Sequence, residues 1–405
     1  MQLDDLERWL DSFEAFHVRF AHLFVRSESR EQAAKYLRGL LAPLERKNGW
    51  QVAEAVGDTT PDRMQRLLYR VDWDADAARD ILQGFAVETF GHPDGIGVLD
   101  ETGFLKKGTH SVGVQRQYSG TAGKIENCQI GVFLTYSTPK GHVFLDRRLY
   151  LPESWCQDTA RRTAAKVPKE VVFQTKPAQG IAMLKHAWDQ GVPMRWVTGD
   201  EVYGDDPQLR GSIERQGRGY VLAVSANTPV WHERPTVEQP AHTAKGRPRT
   251  EVRLAPDAPP STTVAAVVAS WPTEQWQRFS VAEGEKGPRV YDWGRVQVIE
   301  SRQQLPGPVV WLLSRRSVSD PTELAYYLAL APWETTLREV AAVAATRYTV
   351  EQCIEEAKGE SGLDHYEVRY WHSWYRHITL SMLAHAWLAA IRSAEDRKGG
   401  QQLTA

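Results

Sequence analysis

A chain of 405 residues with 42% hydrophobic and 25% charged residues is long enough for a large core and more than one domain, which excludes disordered, collagen-like and coiled-coil classes. Its longest apolar stretches, such as 130–135 and 263–269, fall far short of the roughly 20 residues that a membrane-spanning helix needs. The acidic start, Met-Gln-Leu-Asp-Asp-Leu-Glu, lacks the basic-then-apolar pattern of a secretory signal, so a soluble, cytoplasmic protein without a membrane partner is expected. Cys128, Cys156 and Cys353 are far apart, with no CxxC or CxxH pairing, so neither a disulfide framework nor a zinc ribbon is expected. The formal net charge of −2 argues against a surface basic all over. Its distribution is uneven: residues 1–90 carry 12 Lys+Arg against 16 Asp+Glu, whereas 91–200 carry 14 against 10.

In chain order, residues 1–90 read as helical, with Trp9, Phe13, Phe16, Phe20 and Phe24 recurring at three- or four-residue steps. Two helices around a Gly57-Asp-Thr-Thr-Pro61 turn, the second bearing Arg63, Arg66 and Arg70, fit either a small DNA-contacting module or an ordinary bundle with a solvated face. From 91 to 226 the texture becomes β-rich: 95–100, 127–137 and 142–151 have strand composition. They are followed by a helix over 177–190, a strand over 194–200, a helix over 207–216 and a strand over 220–225. The order β-β-β-α-β-α-β is that of an RNase H-like α/β layer and also fits other mixed sheets. Residues 227–332 read as an inserted β-rich subdomain with strands at 263–271, 290–299 and 309–314, led by a long loop over 232–260. Helices return at 336–358 and 371–393 in a C-terminal segment, 333–395, that completes the core, and 396–405 reads as a frayed tail.

Two aspartates close the strands that matter: Asp100 ends Ile-Gly-Val-Leu-Asp and Asp200 ends Trp-Val-Thr-Gly-Asp. A carboxylate at the C-terminal end of a buried strand is held rigidly at the crevice where open α/β folds bind ligands. Two on neighbouring strands would make a hard oxygen site for Mg²⁺ or Mn²⁺, although Asp is also common where any strand turns into a loop. A third carboxylate is offered by the late helix. At about 100° per residue, Arg347 lies about 40° and Lys358 about 20° from Glu351 around the axis, so the three share one face. Such a stripe suits a metal beside a phosphate backbone, and it also suits an exposed salt-bridged helix. Glu355 lies about 40° to the other side and is a rival, whereas Glu356 points well away.

The segments Leu99-Asp-Glu-Thr-Gly-Phe-Leu-Lys-Lys-Gly108, Gly123-Lys-Ile-Glu-Asn-Cys-Gln-Ile-Gly-Val-Phe133, Leu149-Tyr-Leu-Pro-Glu-Ser-Trp155, Thr198-Gly-Asp-Glu-Val-Tyr-Gly204 and Gly362-Leu-Asp-His-Tyr-Glu-Val-Arg369 resemble bacterial insertion-sequence transposases of the IS701 type, relatives of the IS4-type DDE transposases. The resemblance runs from about residue 10 to 394 and implies an RNase H-like catalytic core with a β-rich insertion between the second Asp and the Glu; the helical pattern of residues 1–90 places an N-terminal helical domain before it. Related transposases carry a Tyr-x2-Arg-x3-Glu-x6-Lys signature. Arg347, Glu351 and Lys358 match its spacing, but Ala344 stands at the tyrosine position, with Tyr348 nearby. The resemblance therefore implies a triad of Asp100, Asp200 and Glu351 holding two Mg²⁺ or Mn²⁺ ions. It also implies cleavage of double-stranded DNA at the element's terminal repeats, strand transfer into target DNA, a homodimer on DNA and a place at the bacterial nucleoid. The alternative is a domesticated, transposase-derived DNA-binding regulator that no longer cuts.

Candidate phosphate contacts are Arg347 and Lys358, then Lys106, Lys107, Arg116, Lys124, Arg147 and Arg148, followed by Arg161, Arg162, Lys166 and Lys169; each is also a type of residue common on solvated surfaces. Lys245-Gly-Arg-Pro-Arg249 reads as a basic hook or a loop without a role. The run Trp371-His-Ser-Trp-Tyr-Arg-His377 allows base stacking, but packing beneath the active-site helix is the preferred reading. His365, His372, His377 and His385 have neither HxxxH spacing nor a cysteine pair and read as structural or solvent-facing. No GxxxxGK[ST] or strand-to-helix GxGxxG occurs, so ATP dependence is not expected.

Overall fold

The computed structural model describes residues 3–239, 252–284 and 287–402; the basic segment 245–249 lies outside them. The fold is mixed α/β. It divides into two compact units, Met1–Arg195 with Tyr348–Ala405, and Trp196–Arg347. None of its described helices is long and apolar enough to cross a membrane.

The first unit opens with five helices: α1 (Leu3–Ala21), α2 (Ser27–Leu41), α3 (Gly49–Ala55), α4 (Asp62–Tyr69) and α5 (Ala75–Phe90). The aromatic ladder holds within α1 for Phe13, Phe16 and Phe20, which are buried; Trp9 is half-buried, and Phe24, also buried, lies past the helix end. Asn48 caps α3 and Asp74 caps α5, each accepting two backbone N–H groups of its helix's first turn. Four strands follow: β1 (Gly95–Leu105), β2 (Gln115–Ser119), β3 (Lys124–Thr138) and β4 (Gly141–Tyr150). All pair antiparallel through β3. The short α6 (Glu153–Gln157) and α7 (Thr159–Ala164) and the longer α8 (Lys176–Asp189) lead into β5 (Met194–Gly199).

The second unit continues from β5 through α9 (Glu201–Gly204), α10 (Pro207–Arg215), β6 (Gly219–Val224), β7 (Pro229–Trp231), β8 (Val237–Glu238), β9 (Arg253–Leu254), β10 (Thr262–Thr263) and α11 (Val264–Ala269). It ends with β11 (Gln277–Gly284), β12 (Gly287–Arg302), β13 (Leu305–Ser317), β14 (Leu324–Leu330) and α12 (Leu337–Ala345). Its large sheet is mixed. β5 runs parallel to β6, and antiparallel pairing continues through β14, β13, β12, β7 and β10, with β11 also on β12. The chain then returns to the first unit as α13 (Tyr348–Ser361) and α14 (Trp371–Gln402).

Several expectations are corrected. The stretch 263–271 is not a strand: Thr263 caps α11 by accepting from Ala266 N–H, and Val264, Val267 and Val268 are buried at helical spacing, so tertiary burial overrides β-branched composition. The expected helix over 336–358 is two helices. Thr346 Oγ1 bonds back to Ala342 O at 2.9 Å, and Arg347 N–H reaches Ala344 O at 3.3 Å, a tightened last turn that ends α12 before α13 begins. Strands β2, β7, β8, β9, β11 and β14 fall outside the expected ones, β8 and β9 within the expected loop over 232–260; β14 pairs directly with β6, so the β-rich stretch extends the sheet that β6 belongs to. The expected frayed tail is helical as far as Gln402.

Residues 373–386 of α14 are almost all buried, and several polar side chains among them are hydrogen-bonded internally. Trp374 Nε1 donates to Tyr366 Oη at 3.0 Å, and the buried Arg376 guanidinium donates to the carbonyls of Leu68 and Trp73. Packing is therefore the role of this aromatic and basic run. His377 is buried between Tyr36 Oη at 2.8 Å and Gly362 O at 3.1 Å. Burial pulls its pKa down to about 3, against the hydrogen bond to Gly362. Because the folded pKa lies below the unfolded value of about 6.5, the unfolded chain binds the extra proton. The stability His377 contributes is therefore fully present above pH about 6.5 and is lost as pH falls toward about 3, by at most about 5 kcal/mol. Urea unfolding of wild type and His377→Gln at pH 7 and pH 4.5 checks this: the wild type is expected to lose more stability on acidification than the variant, and equal losses would contradict it.

Candidate active site

Asp100 lies on β1 opposite Phe133 of β3. Strand alternation puts Asp100, Thr102 and Phe104 on one face and Glu101 on the other, where its carboxylate pairs with Lys176 at 2.5 Å. Asp100 is half-buried, and its Oδ1 accepts from Glu101 N–H at 2.7 Å, which orients the carboxylate. Helix α13 reaches the Asp100 face: Lys358 Nζ donates to Thr102 Oγ1 at 2.8 Å and lies 5.9 Å from the centre of the Phe104 ring. Burial lowers the Lys358 pKa, while Asp364 and Glu355 oppose the shift.

Glu351 is exposed in the first turn of α13, about 10 Å before Lys358 along the axis and about 20° round from it. It therefore stands on the stripe that Lys358 turns toward β1. Glu355 is exposed as well. Glu356 faces elsewhere, hydrogen-bonded to His142 and His385. Arg347 precedes α13 instead of belonging to it, so the single-helix stripe of Arg347, Glu351 and Lys358 holds only for the last two.

In the second unit, Asp200 directly follows β5 and caps α9, its Oδ1 accepting from Val202 N–H at 3.0 Å. α9 packs hard on β6: a Cβ on Gly204 would come 1.7 Å from Ala223 O, so only glycine allows this approach. Arg210 of α10 donates to Gly204 O and to Glu300 Oε1 at 2.8 Å, tying the segment after Asp200 to β12. Arg347 and Glu201 both act on the phenol of Tyr327 on β14, whose pKa is raised chiefly by burial. Ala344, at the missing tyrosine position, is buried in α12.

The basic candidates separate by burial. Lys107, Arg116 and Lys124 are exposed, the last paired with Glu126 at 3.1 Å. Arg148 is half-buried beside Trp371 and Tyr375. Two expectations fail. Arg147 is fully buried, its guanidinium bonded to Asp76, Asp146, Thr379 Oγ1 and Ala75 O, and so is structural. Lys106 turns inward: Nζ donates to Tyr366 O at 2.9 Å and lies 3.5 Å from the centre of that ring, and burial pulls its pKa to about 8 against Asp364 and Glu367. Arg161 and Arg162 are also engaged, donating to backbone carbonyls that include Val114 and Val171. Thr102, the seat for Lys358, carried no signal in the sequence beyond its alternation with Asp100.

A sequence profile of the DDE superfamily endonucleases matches residues 19–288, well over half of the chain, a range that contains Asp100 and Asp200. The chain belongs to the DDE superfamily endonuclease family. Among curated relatives of this DDE-family chain is the probable transposase for insertion sequence element IS701 of Microchaete diplosiphon, 26% identical over 199 residues, which cover 48% of this chain and 49% of that one. The matched region thus spans about half the length of the relative. Among solved structures, similarity extends to the piggyBac transposase synaptic complex with hairpin DNA, with a TM-score of 0.46 and 10% identity over 92% of this chain and 68% of that one. The NurA nuclease from Sulfolobus solfataricus aligns with a TM-score of 0.25 and 10% identity, covering 66% of this chain and 79% of that one. Glu351 lies beyond the range matched by the family profile, so its place rests on its helix and on the anchoring of Lys358.

Proposed function

We propose that this DDE-family protein is a DNA transposase that cuts double-stranded DNA at its element's ends and joins them to target DNA, with Asp100, Asp200 and Glu351 as its catalytic acids. The observation that carries the reading is the Lys358–Thr102 hydrogen bond, which brings the helix bearing Glu351 onto the strand face bearing Asp100. The antiparallel β1, β3, β4 meander, followed by a parallel β5–β6 pair with an acid just after β5, supports an RNase H-like core. The IS701 relative supports transposition over plain nuclease action.

The donor set fits divalent magnesium or manganese. All three groups are carboxylates, hard oxygen donors, and a carboxylate oriented by a backbone N–H has the acceptor capacity to take a cation as well. Asp100, Asp200 and Glu351 would hold two such ions, which when bound activate a water or a DNA 3′-hydroxyl and stabilise the leaving oxygen of an in-line displacement. The chain's own cations do the rest. Lys358, seated on Thr102, places positive charge on the Asp100 face, Arg347 flanks the start of α13, and Lys107, Arg116, Lys124 and Arg148 contact backbone phosphates. The 1–90 helices, with Arg63, Arg66 and Arg70 exposed on and just after α4, add a DNA-contacting surface. Synapsis of two ends makes the DNA-bound form a homodimer, acting in the bacterial cytoplasm at the nucleoid.

The test is purified protein incubated with labelled DNA carrying the inverted repeats that flank its gene, in Mg²⁺, Mn²⁺ or EDTA. Cleavage and joining in either metal and none in EDTA are expected; specific binding with no cut in any condition would instead mark the domesticated regulator. The phosphate assignments make a separate prediction. Lys107→Ala and Arg116→Ala should each weaken binding uniformly across DNA sequences and reduce the slope of log K against log salt by about 1. Arg147→Ala should lower stability and leave that slope unchanged. A slope unmoved in both exposed variants would remove them from the interface.

A further inference from the structure

A second cluster of ligand-type side chains lies within the first unit, on the side of α13 that carries Glu356. Cys353 of α13, His142 at the start of β4 and His385 of α14 each offer one donor atom, and these atoms all lie within 4.8 Å of one another. Cys353 and His385 are buried, whereas His142 retains 16% side-chain exposure, which leaves a path for an ion to enter. Glu356, one turn after Cys353 on α13, places Oε2 3.1 Å from His142 Nε2 and 3.3 Å from His385 Nε2. Its Oε1 accepts from Arg392 at 2.9 Å and Gln352 at 3.0 Å. Burial pushes the Glu356 carboxyl up, but the two histidines and Arg392 outweigh it and hold the group well below the usual carboxylate range.

A purely structural network explains the Glu356 contacts and leaves two features unexplained. His385 Nδ1 is buried with no hydrogen-bond partner, a deficit that costs about 1–3 kcal/mol. A thiol also stands among two imidazoles and a carboxylate that are stacked and packed, the His142 and His385 rings lying 6.4 Å apart at 25° with Phe144 5.4 Å from His385. We propose that His142, Cys353 and His385, with the Glu356 carboxylate as the group that orients both rings, form a structural site for a thiolate- and imidazole-preferring divalent ion, zinc above all.

The donor chemistry sets this site apart from the carboxylate triad. Sulfur and imidazole nitrogen select zinc-like ions, whereas oxygen-only sites select magnesium and manganese. Zinc bonds of about 2.0–2.3 Å put tetrahedral ligand atoms about 3.3–3.7 Å apart. The three donor atoms lie within 4.8 Å of one another and must close by about 1 Å to reach that spacing. Binding releases the Cys353 thiol proton to solvent and joins β4, α13 and α14 through one ion, steadying the helix that carries Glu351 and Lys358.

The experiment uses the full-length protein, stripped of metal with a chelator and titrated with Co²⁺ alone. Saturation is expected to produce a near-ultraviolet thiolate-to-cobalt charge-transfer band. The band should be lost in Cys353→Ser, weakened at least about 10-fold in apparent affinity in His142→Ala, and kept in Asp100→Ala. Zn²⁺ should displace Co²⁺ and raise the melting temperature of wild type but not of Cys353→Ser, with far-UV circular dichroism confirming that both variants fold. Absence of the band at saturating Co²⁺, or a band unchanged in Cys353→Ser, overturns the site. The proposal does not rest on DNA cleavage, so its failure and that of the transposase reading are distinguishable.

Discussion

Alanine at Asp100, Asp200 or Glu351 is expected to reduce strand cleavage by about 10³-fold or more, because loss of one metal-holding carboxylate removes several kcal/mol of transition-state stabilisation. Folding and DNA binding should survive. Asp100 and Asp200 are half-buried and Glu351 is exposed, so none of them is a core residue. Removing Asp200 also removes the cap of a four-residue helix, worth about 1 kcal/mol, a loss that Asp200→Asn would largely avoid while still abolishing cleavage. The assignment of the third acid is exposed to direct test: normal cleavage by Glu351→Ala together with failure of Glu355→Ala would transfer the role to Glu355. Gel assays of nicking, with circular dichroism and filter binding on the same samples, read each outcome.

The largest effect on stability is expected at Glu300. This carboxylate is fully buried on β12 and accepts from Arg210 at 2.8 Å, from Arg302 at 2.8 and 3.1 Å, and from Tyr220 Oη at 3.2 Å. Burial and the Glu300 charge together push the Tyr220 phenol far above its ordinary range, so the neutral phenol remains a donor at any physiological pH. Glu300→Ala leaves the Arg210 guanidinium buried without its carboxylate, and breaking such a pair costs about 3–5 kcal/mol. Arg210 also holds Gly204 O, at the end of the helix that Asp200 caps, so the variant should lose cleavage along with stability. Glu300→Gln retains acceptors for some of these donors and should be less damaging in urea unfolding. A change below about 1 kcal/mol in Glu300→Ala would show that the network adds little.

The parts of this architecture set by local pattern could be read from the sequence. The aromatic ladder of α1, the strand that leads to Asp200 and the helix carrying Glu351 follow from periodicity and turn chemistry, whereas the strand expected to end at Asp100 runs on through it to Leu105, because its pairing with β3 continues as far as Cys128. What could not be read depends on partners distant in the chain. Leu145-Asp-Arg-Arg-Leu149 looks like a charged edge, yet Arg147 is buried because Asp76 and Asp146 neutralise it and Thr379 completes its hydrogen bonds. Lys106 adjoins a strand end and invites a phosphate-binding reading, but Tyr366, 260 residues later, captures its ammonium. The break at Thr346 turns on a side chain bonding back to its own helix, which helix propensity alone does not reveal. His142, Cys353 and His385 come from three elements, and only the Cys353-to-Glu356 step leaves any trace at helical spacing.

Three acids far apart in sequence are proposed to serve one pair of metal ions, and metal-directed backbone cleavage tests this most directly. With Fe²⁺ in place of magnesium, ascorbate and peroxide generate hydroxyl radicals where the metal sits, and the scission sites map the segments around it. The prediction is cutting near residues 100, 200 and 351 in the same protein, suppressed together by excess Mn²⁺ and lost together in Asp100→Ala. Scission at only one of these segments, or persistence near 200 and 351 after Asp100 is replaced, would contradict a shared site.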